Sequence, residues 1–221
     1  NPEDYKHCNL QVNNDIEDIY GKIDSMISDD EFNTIEKILT SVNLETYNHF
    51  KDFEKDIRKY YGKSKPFNKS KILYVYQCLV ESNTLKNTNF RKLLVKKPSK
   101  SQSGVLVITV LTSPYPIVNG KKQRFSCEWN CYYCPNEPGQ PRSYLHDEPS
   151  VLRGNQNNFD PILQFTERAA SLRQNGHPVD KVELLVLGGT WSSYPMQYRE
   201  EFIRDLFYAA NTIFIRNDKR E

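Results

Sequence analysis

What the chain has little of narrows it first. No apolar run approaches the roughly 20 residues a membrane-spanning helix needs, so no membrane association is expected. The opening stretch, NPEDYKHCNLQV, has neither the basic start nor the apolar core of a secretory leader, and a cytoplasmic protein is expected. Cysteine is scarce, five in 221 residues, too few for a disulfide scaffold. Hydrophobic residues make up 38% and charged residues 26%, which suits a globular chain able to bury a core.

Acidic residues are nearly missing from one long block. Residues 57–124 hold 15 basic side chains against a single acid, Glu81, whereas residues 1–56 hold 14 acids and 5 bases. The overall charge of +2 hides this step. A charge run is often only a solvated face, but this one spans most of 70 residues with tyrosine and asparagine interleaved. It points to a polyanion-binding surface that meets phosphates, with Arg91, Lys92, Lys96, Lys97 and Lys100 as the candidate contacts. Residues 125–221 are nearly balanced.

Periodicity divides the chain. Ser28 and Glu31 form a capping box ahead of Phe32, Ile35, Leu39 and Val42, one apolar face of a helix. Residues 44–61 continue at helical spacing, GKSKPFNKSK (62–71) reads as a linker or helix start, and shorter helices are expected around 69–82 and 89–95. From Gly104 the pattern changes. GVLVITVLTSP is an unbroken β-branched run, expected as a strand buried on both faces of a parallel sheet. FDPILQFTERAASLRQNGHP has Pro161 in its first turn and Gly176 as its stop, KVELLVLGGT is a second strand, and YPMQYREEFIRDLFYAAN a further helix with Phe202, Ile203, Leu206, Ala209 and Ala210 inward. This order implies parallel βαβ units.

The chemistry concentrates in CEWNCYYC, where Cys127, Cys131 and Cys134 fall within eight residues. Structural zinc wants four ligands, usually in two close pairs, and neither a second CxxC nor an HxxxH lies nearby. The other two cysteines offer no completion: Cys78 reads as a core thiol, and Cys8 lies in a polar leader. Three thiolates can instead hold a [4Fe–4S] cluster with one iron left open, which an amine and a carboxylate together could occupy.

C-x3-C-x2-C with an aromatic just before the last cysteine, here Tyr133, resembles the radical S-adenosylmethionine (SAM) superfamily. Gly188, Gly189 and Thr190, at the end of the second strand, resemble its glycine-rich motif. The segments SGVLVITVLTSP, CYYCP, SYLHDEPSVLR, FDPILQ, NGHPVDKVELLVLGGTWSSYP and YREEFIRDL together look like the catalytic subunit of the Elongator complex and its stand-alone relatives, over roughly residues 90–210. That resemblance implies a tRNA-modifying enzyme acting on position 5 of the wobble uridine, with acetyl-CoA as co-substrate and SAM cleaved to a 5′-deoxyadenosyl radical. It implies Cys127, Cys131 and Cys134 as cluster ligands, Tyr133 beside the adenine, and Gly188, Gly189 and Thr190 at the SAM amine. tRNA is the implied partner, with Elongator-type accessory subunits or a second copy of the chain beside it.

The expected fold class is α/β: a mainly helical, basic tRNA-binding region over residues 1–103, then the first βα units of a radical SAM partial TIM barrel over 104–221. The chain departs from many family members in the short gap between its first two cysteines, and no acetyltransferase segment follows NTIFIRNDKRE; a fragment lacking the later barrel strands is therefore expected. Another radical SAM enzyme, a tRNA-binding fragment with an empty cysteine site, and a zinc-stabilised scaffold stay open as alternatives.

Overall fold

A computed structural model describes residues 27–61 and 67–213. Residues 62–66 of the 62–71 stretch, and residues 1–26 with Cys8, lie outside the described residues. The chain forms two compact units. Of the described residues, one contains those up to Leu106 together with Ala170–Lys181; the other contains Val107–Ala169 and residues 182–213.

The first unit is helical. Helix α1 (Asp29–Ser41) starts at Ser28, whose hydroxyl accepts from the Glu31 N–H at 3.3 Å while the Glu31 carboxylate accepts from the Ser28 N–H at 3.1 Å, the expected capping box. Helix α2 begins at Phe50 (Phe50–Tyr61) rather than at Leu44. Asn43 accepts from the Glu45 N–H, and this local bond turns Leu44–Thr46 into a single 3₁₀ turn that ends the periodic run early. Helix α3 (Lys69–Glu81) is capped by Asn68, and α4 (Phe90–Leu94) is one short turn. Ile35, Ile38 and Leu39 of α1 pack against α3, where Ile72, Leu73, Val75, Tyr76 and Leu79 are buried. Phe53 of α2 meets Phe90 edge-on at 4.8 Å between ring centroids. The cluster is apolar, so burial of these side chains is the main term holding the unit together, at roughly 1.5–3 kcal/mol each.

The second unit is built on a small parallel sheet. Strands β1 (Leu106–Leu111) and β4 (Val182–Leu187) pair, and their ladder runs from Leu106 N–H to Lys181 C=O to Thr112 N–H to Leu187 C=O, a constant offset that requires parallel chains. Between them lie a hairpin, β2 (Ile117–Val118) with β3 (Lys121–Lys122), then helices α5 (Pro149–Gln156) and α6 (Pro161–Gln174); α7 (Met196–Thr212) follows β4. The strands are not buried on both faces as expected: Val107 is 45% and Leu185 41% exposed among the described residues, because only one face of this two-stranded sheet is covered. Ile203, expected inward on α7, is likewise exposed, while Phe202, Leu206 and Ala209 are buried.

Two local devices position the functional end of this unit. The side-chain amide of buried Gln164, on α6, takes both the N–H and the C=O of Leu111, at 3.0 and 2.9 Å, so the free edge of β1 ends against a side chain that mimics a neighbouring strand. The hairpin turns through Asn119 and Gly120, both at positive φ (50° and 72°), as the type I′ geometry of a two-residue Asn-Gly loop requires. After it, Gln123 N–H bonds Pro116 C=O and Phe125 N–H bonds Pro114 C=O, which returns the chain to the end of β1 just before the first clustered cysteine.

Candidate functional site

The cysteine loop sits where parallel strands end, and polar groups from two other segments converge on it. Cys127 lies 3.3 Å from the Thr190 hydroxyl, and the Ser193 hydroxyl donates to it at 3.9 Å. These contacts, Thr190 first, hold the Cys127 thiol below the usual thiol range. Cys134 lies 3.0 Å from the Ser143 hydroxyl and accepts from Arg142 Nε at 3.3 Å, and it too is held down, chiefly by Ser143 and then by the guanidinium. Arg142 is fixed from the other side by Asn130, whose side-chain carbonyl accepts from Nη2 at 2.9 Å. Ser143 adopts φ 77°, a left-handed conformation uncommon for a residue with a Cβ, and that strain aims its hydroxyl at Cys134.

The glycine-rich strand end is crowded. A Cβ on Gly188, which has φ 137°, would lie 1.9 Å from Thr112 Oγ1; one on Gly189 would lie 2.3 Å from the Phe125 ring. Thr112 donates to Tyr194 Oη at 2.8 Å, Tyr194 donates onward to Ser113 C=O at 3.2 Å, and Ser113 N–H donates to Tyr198 Oη at 2.8 Å. Burial pushes Tyr194 up to about 12 and Tyr198 higher still. The rings of Phe125, Tyr194, Tyr198 and Phe202 then run as a ladder at 4.2, 5.1 and 5.7 Å, from the cysteine loop to α7.

Sequence-selected residues fall into three groups. Cys127, Cys134, Gly188, Gly189 and Thr190 come together with Arg142 and Ser143, which the motif alone did not single out. Cys131 is exposed, and among the described residues no three Cys, His, Asp or Glu side chains converge as a metal site. Tyr133 is exposed as well. The donor chemistry suits a thiolate-bound group, since two thiols each take a hydrogen bond from neighbouring side chains, while the third stands on a turn closed by Cys134 N–H to Cys131 C=O at 3.1 Å.

The basic residues belong to the helical unit. Arg91 and Lys92 line a groove of about 770 Å³ with Tyr47, Asn48 and Lys86, and Lys96, Lys97 and Lys100 are exposed on the following turn. Elsewhere, Glu148 accepts from Leu145 N–H, and Arg153 donates to Pro149 C=O. His177 is a buried structural residue whose Nδ1 meets the Ser101 hydroxyl at 2.9 Å.

Fold and site together define an α/β unit carrying a polarised cysteine loop at the carboxyl ends of its strands, beside a glycine-rich strand end. Relatives with this sequence pattern have names. The chain is 37% identical over 126 residues to "tRNA uridine(34) acetyltransferase" of Methanocaldococcus jannaschii, 35% over 119 residues to the protein of that name in Dehalococcoides mccartyi, and 37% over 132 residues to "Elongator complex protein 3" of Homo sapiens. These matches cover 54–55% of the chain and 22–24% of the relatives, so the chain is homologous to them over about half its length and spans under a quarter of theirs. No family model matches the chain.

Proposed function

We propose that this chain is the RNA-docking and cluster-binding part of a radical SAM enzyme that modifies the wobble uridine of tRNA at position 5. The observation that carries the reading is the paired polarisation of Cys127 and Cys134 beside Thr190, at the ends of β1 and β4, in a chain homologous to proteins named for uridine 34 of tRNA. Cys127, Cys131 and Cys134 would hold a [4Fe–4S] cluster, Cys131 swinging in from its exposed turn, and Gly188, Gly189 and Thr190 would face the SAM amine. Such a cluster supplies the electron that cleaves SAM reductively.

The chain's own groups prepare that chemistry. Arg142 and Ser143 hold Cys134 ready as a thiolate, Thr190 and Ser193 do the same for Cys127, and the Tyr194 hydroxyl, bonded to Thr112 and Ser113, fixes the end of β1 beside the glycine-rich strand end. Lys96, Lys97 and Lys100, with Arg91 and Lys92, would meet tRNA phosphates. Acetyl-CoA as co-substrate, accessory subunits and a cytoplasmic setting belong to the activity proposed for a longer protein. Among the described residues no helix is long and apolar enough to cross a membrane.

The test is an anaerobic iron, sulfide and zinc assay, then SAM cleavage under a reductant with and without tRNA. Iron and sulfide in near-equal amounts, lost in Cys131→Ala, would support the cluster reading, and tRNA-stimulated cleavage would support the uridine-modifying one. Zinc alone after reconstitution would overturn it.

A further inference from the structure

The most exposed large hydrophobic side chains among the described residues lie on the cysteine loop. Tyr132 is 106% exposed, Tyr133 87% and Trp129 65%. Scattered exposed aromatics are ordinary, but three within five residues of one irregular loop leave an apolar surface that marks a binding face. The other tryptophan, Trp191, packs edge-on against Phe202 at 5.9 Å.

The charge of the segment leading into this loop selects the partner. Lys121 and Lys122 on the hairpin and Arg124 on the return strand are exposed. Arg124 lines a shallow concavity together with Arg142, Asn136 and Gln140. Glu128 is the single acid between residues 126 and 134. Exposed aromatic faces on a segment that follows exposed cations fit a single-stranded nucleic acid, whose bases stack on rings while its phosphates meet charges. A protein partner's apolar surface would gain nothing from the four cations.

We propose that Trp129 and Tyr132 form a stacking platform for an unpaired nucleobase of an RNA substrate, beside the cysteine site and separate from the lysines of the helical unit. The inference rests on the RNA-modifying reading and deepens it: the helical unit's lysines supply sequence-blind phosphate contacts, and the platform takes a base out of its stack and holds it near the reactive centre.

Trp129 reports on itself. In Trp191→Phe the full chain keeps Trp129 as its sole tryptophan, and circular dichroism checks that the fold survives. Titration with an anticodon stem–loop RNA should quench its emission saturably, and Trp129→Ala and Tyr132→Ala should each weaken RNA affinity by about 5- to 150-fold. In Lys96/Lys97/Lys100→Ala, affinity should fall while the quench at saturation remains. RNA binding with unchanged Trp129 emission, and unchanged affinity in Trp129→Ala, would overturn the platform and leave the tRNA reading standing. Quenching by SAM alone, with no further change on adding RNA, would overturn it in favour of the cofactor's adenine. Absence of RNA binding in every variant and in the unmodified chain would bring down both readings.

Discussion

Gly188→Ala should unfold this protein more easily, whatever its effect on a cofactor. The added Cβ would stand 1.9 Å from Thr112 Oγ1 and 3.2 Å from Thr112 Cβ. Thr112 is 1% exposed and its hydroxyl donates to Tyr194, so it has no room to turn away without losing that bond. A buried hydrogen bond left unmade costs about 1–3 kcal/mol, and holding a side-chain-bearing residue at φ 137° costs about 1–3 more. The expected loss is therefore about 2–6 kcal/mol, a large share of an ordinary domain's stability. With a urea slope of roughly 2 kcal/mol per molar, the unfolding midpoint followed by circular dichroism should fall by ~1–3 M. Gly189→Ala, which meets the Phe125 ring without an unfavourable φ, should cost less, about 1–3 kcal/mol. Thr112→Ala removes the clashing oxygen, so the double variant Thr112→Ala/Gly188→Ala should be more stable than the sum of the two single losses. A midpoint for Gly188→Ala within the error of the unmodified protein would refute the steric argument, and the glycine would then serve only a ligand.

Three further outcomes are expected. Tyr194 is held neutral to about 12 in the folded state against an ordinary phenol near 10, so the unfolded chain releases the proton first and stability should fall by about 2–3 kcal/mol as pH rises through that window; the difference between the protein and Tyr194→Phe in alkaline urea titrations measures it, and parallel curves would contradict it. In the metal-free protein, alkylation of Cys134 should begin at lower pH than for an ordinary thiol, and Ser143→Ala or Arg142→Ala should each shift its profile upward; mass-spectrometric labelling showing the same profile in all three proteins would remove the polarised-thiol argument. Lys96/Lys97/Lys100→Ala should flatten the slope of log affinity for tRNA against log salt by ~2–3, and an unchanged slope would place the phosphate contacts elsewhere.

Local chemistry written along the chain determined much of this protein. The capping box at Ser28, the Pro161 start and Gly176 stop of α6, the two apolar strands and the position of CEWNCYYC after the first of them all follow from short-range preferences, which is why each could be read without coordinates. The basic block was equally legible, since charge is a property of composition. The Asn119-Gly120 hairpin was also written there, in the strongest of turn dipeptides, and passed over among the flanking lysines. What the tertiary structure decided depends on groups distant in sequence meeting in space. Gln164 completes the edge of β1 from 53 residues away, and Thr190 reaches Cys127 from 63. Ser143 stands at Cys134 on a left-handed backbone, and Arg142 is held there by Asn130. The glycines that looked like a cofactor motif are also demanded by Thr112 and Phe125, and no periodicity reveals such a requirement, because it arises only when two chain ends and an aromatic ladder are packed against one another.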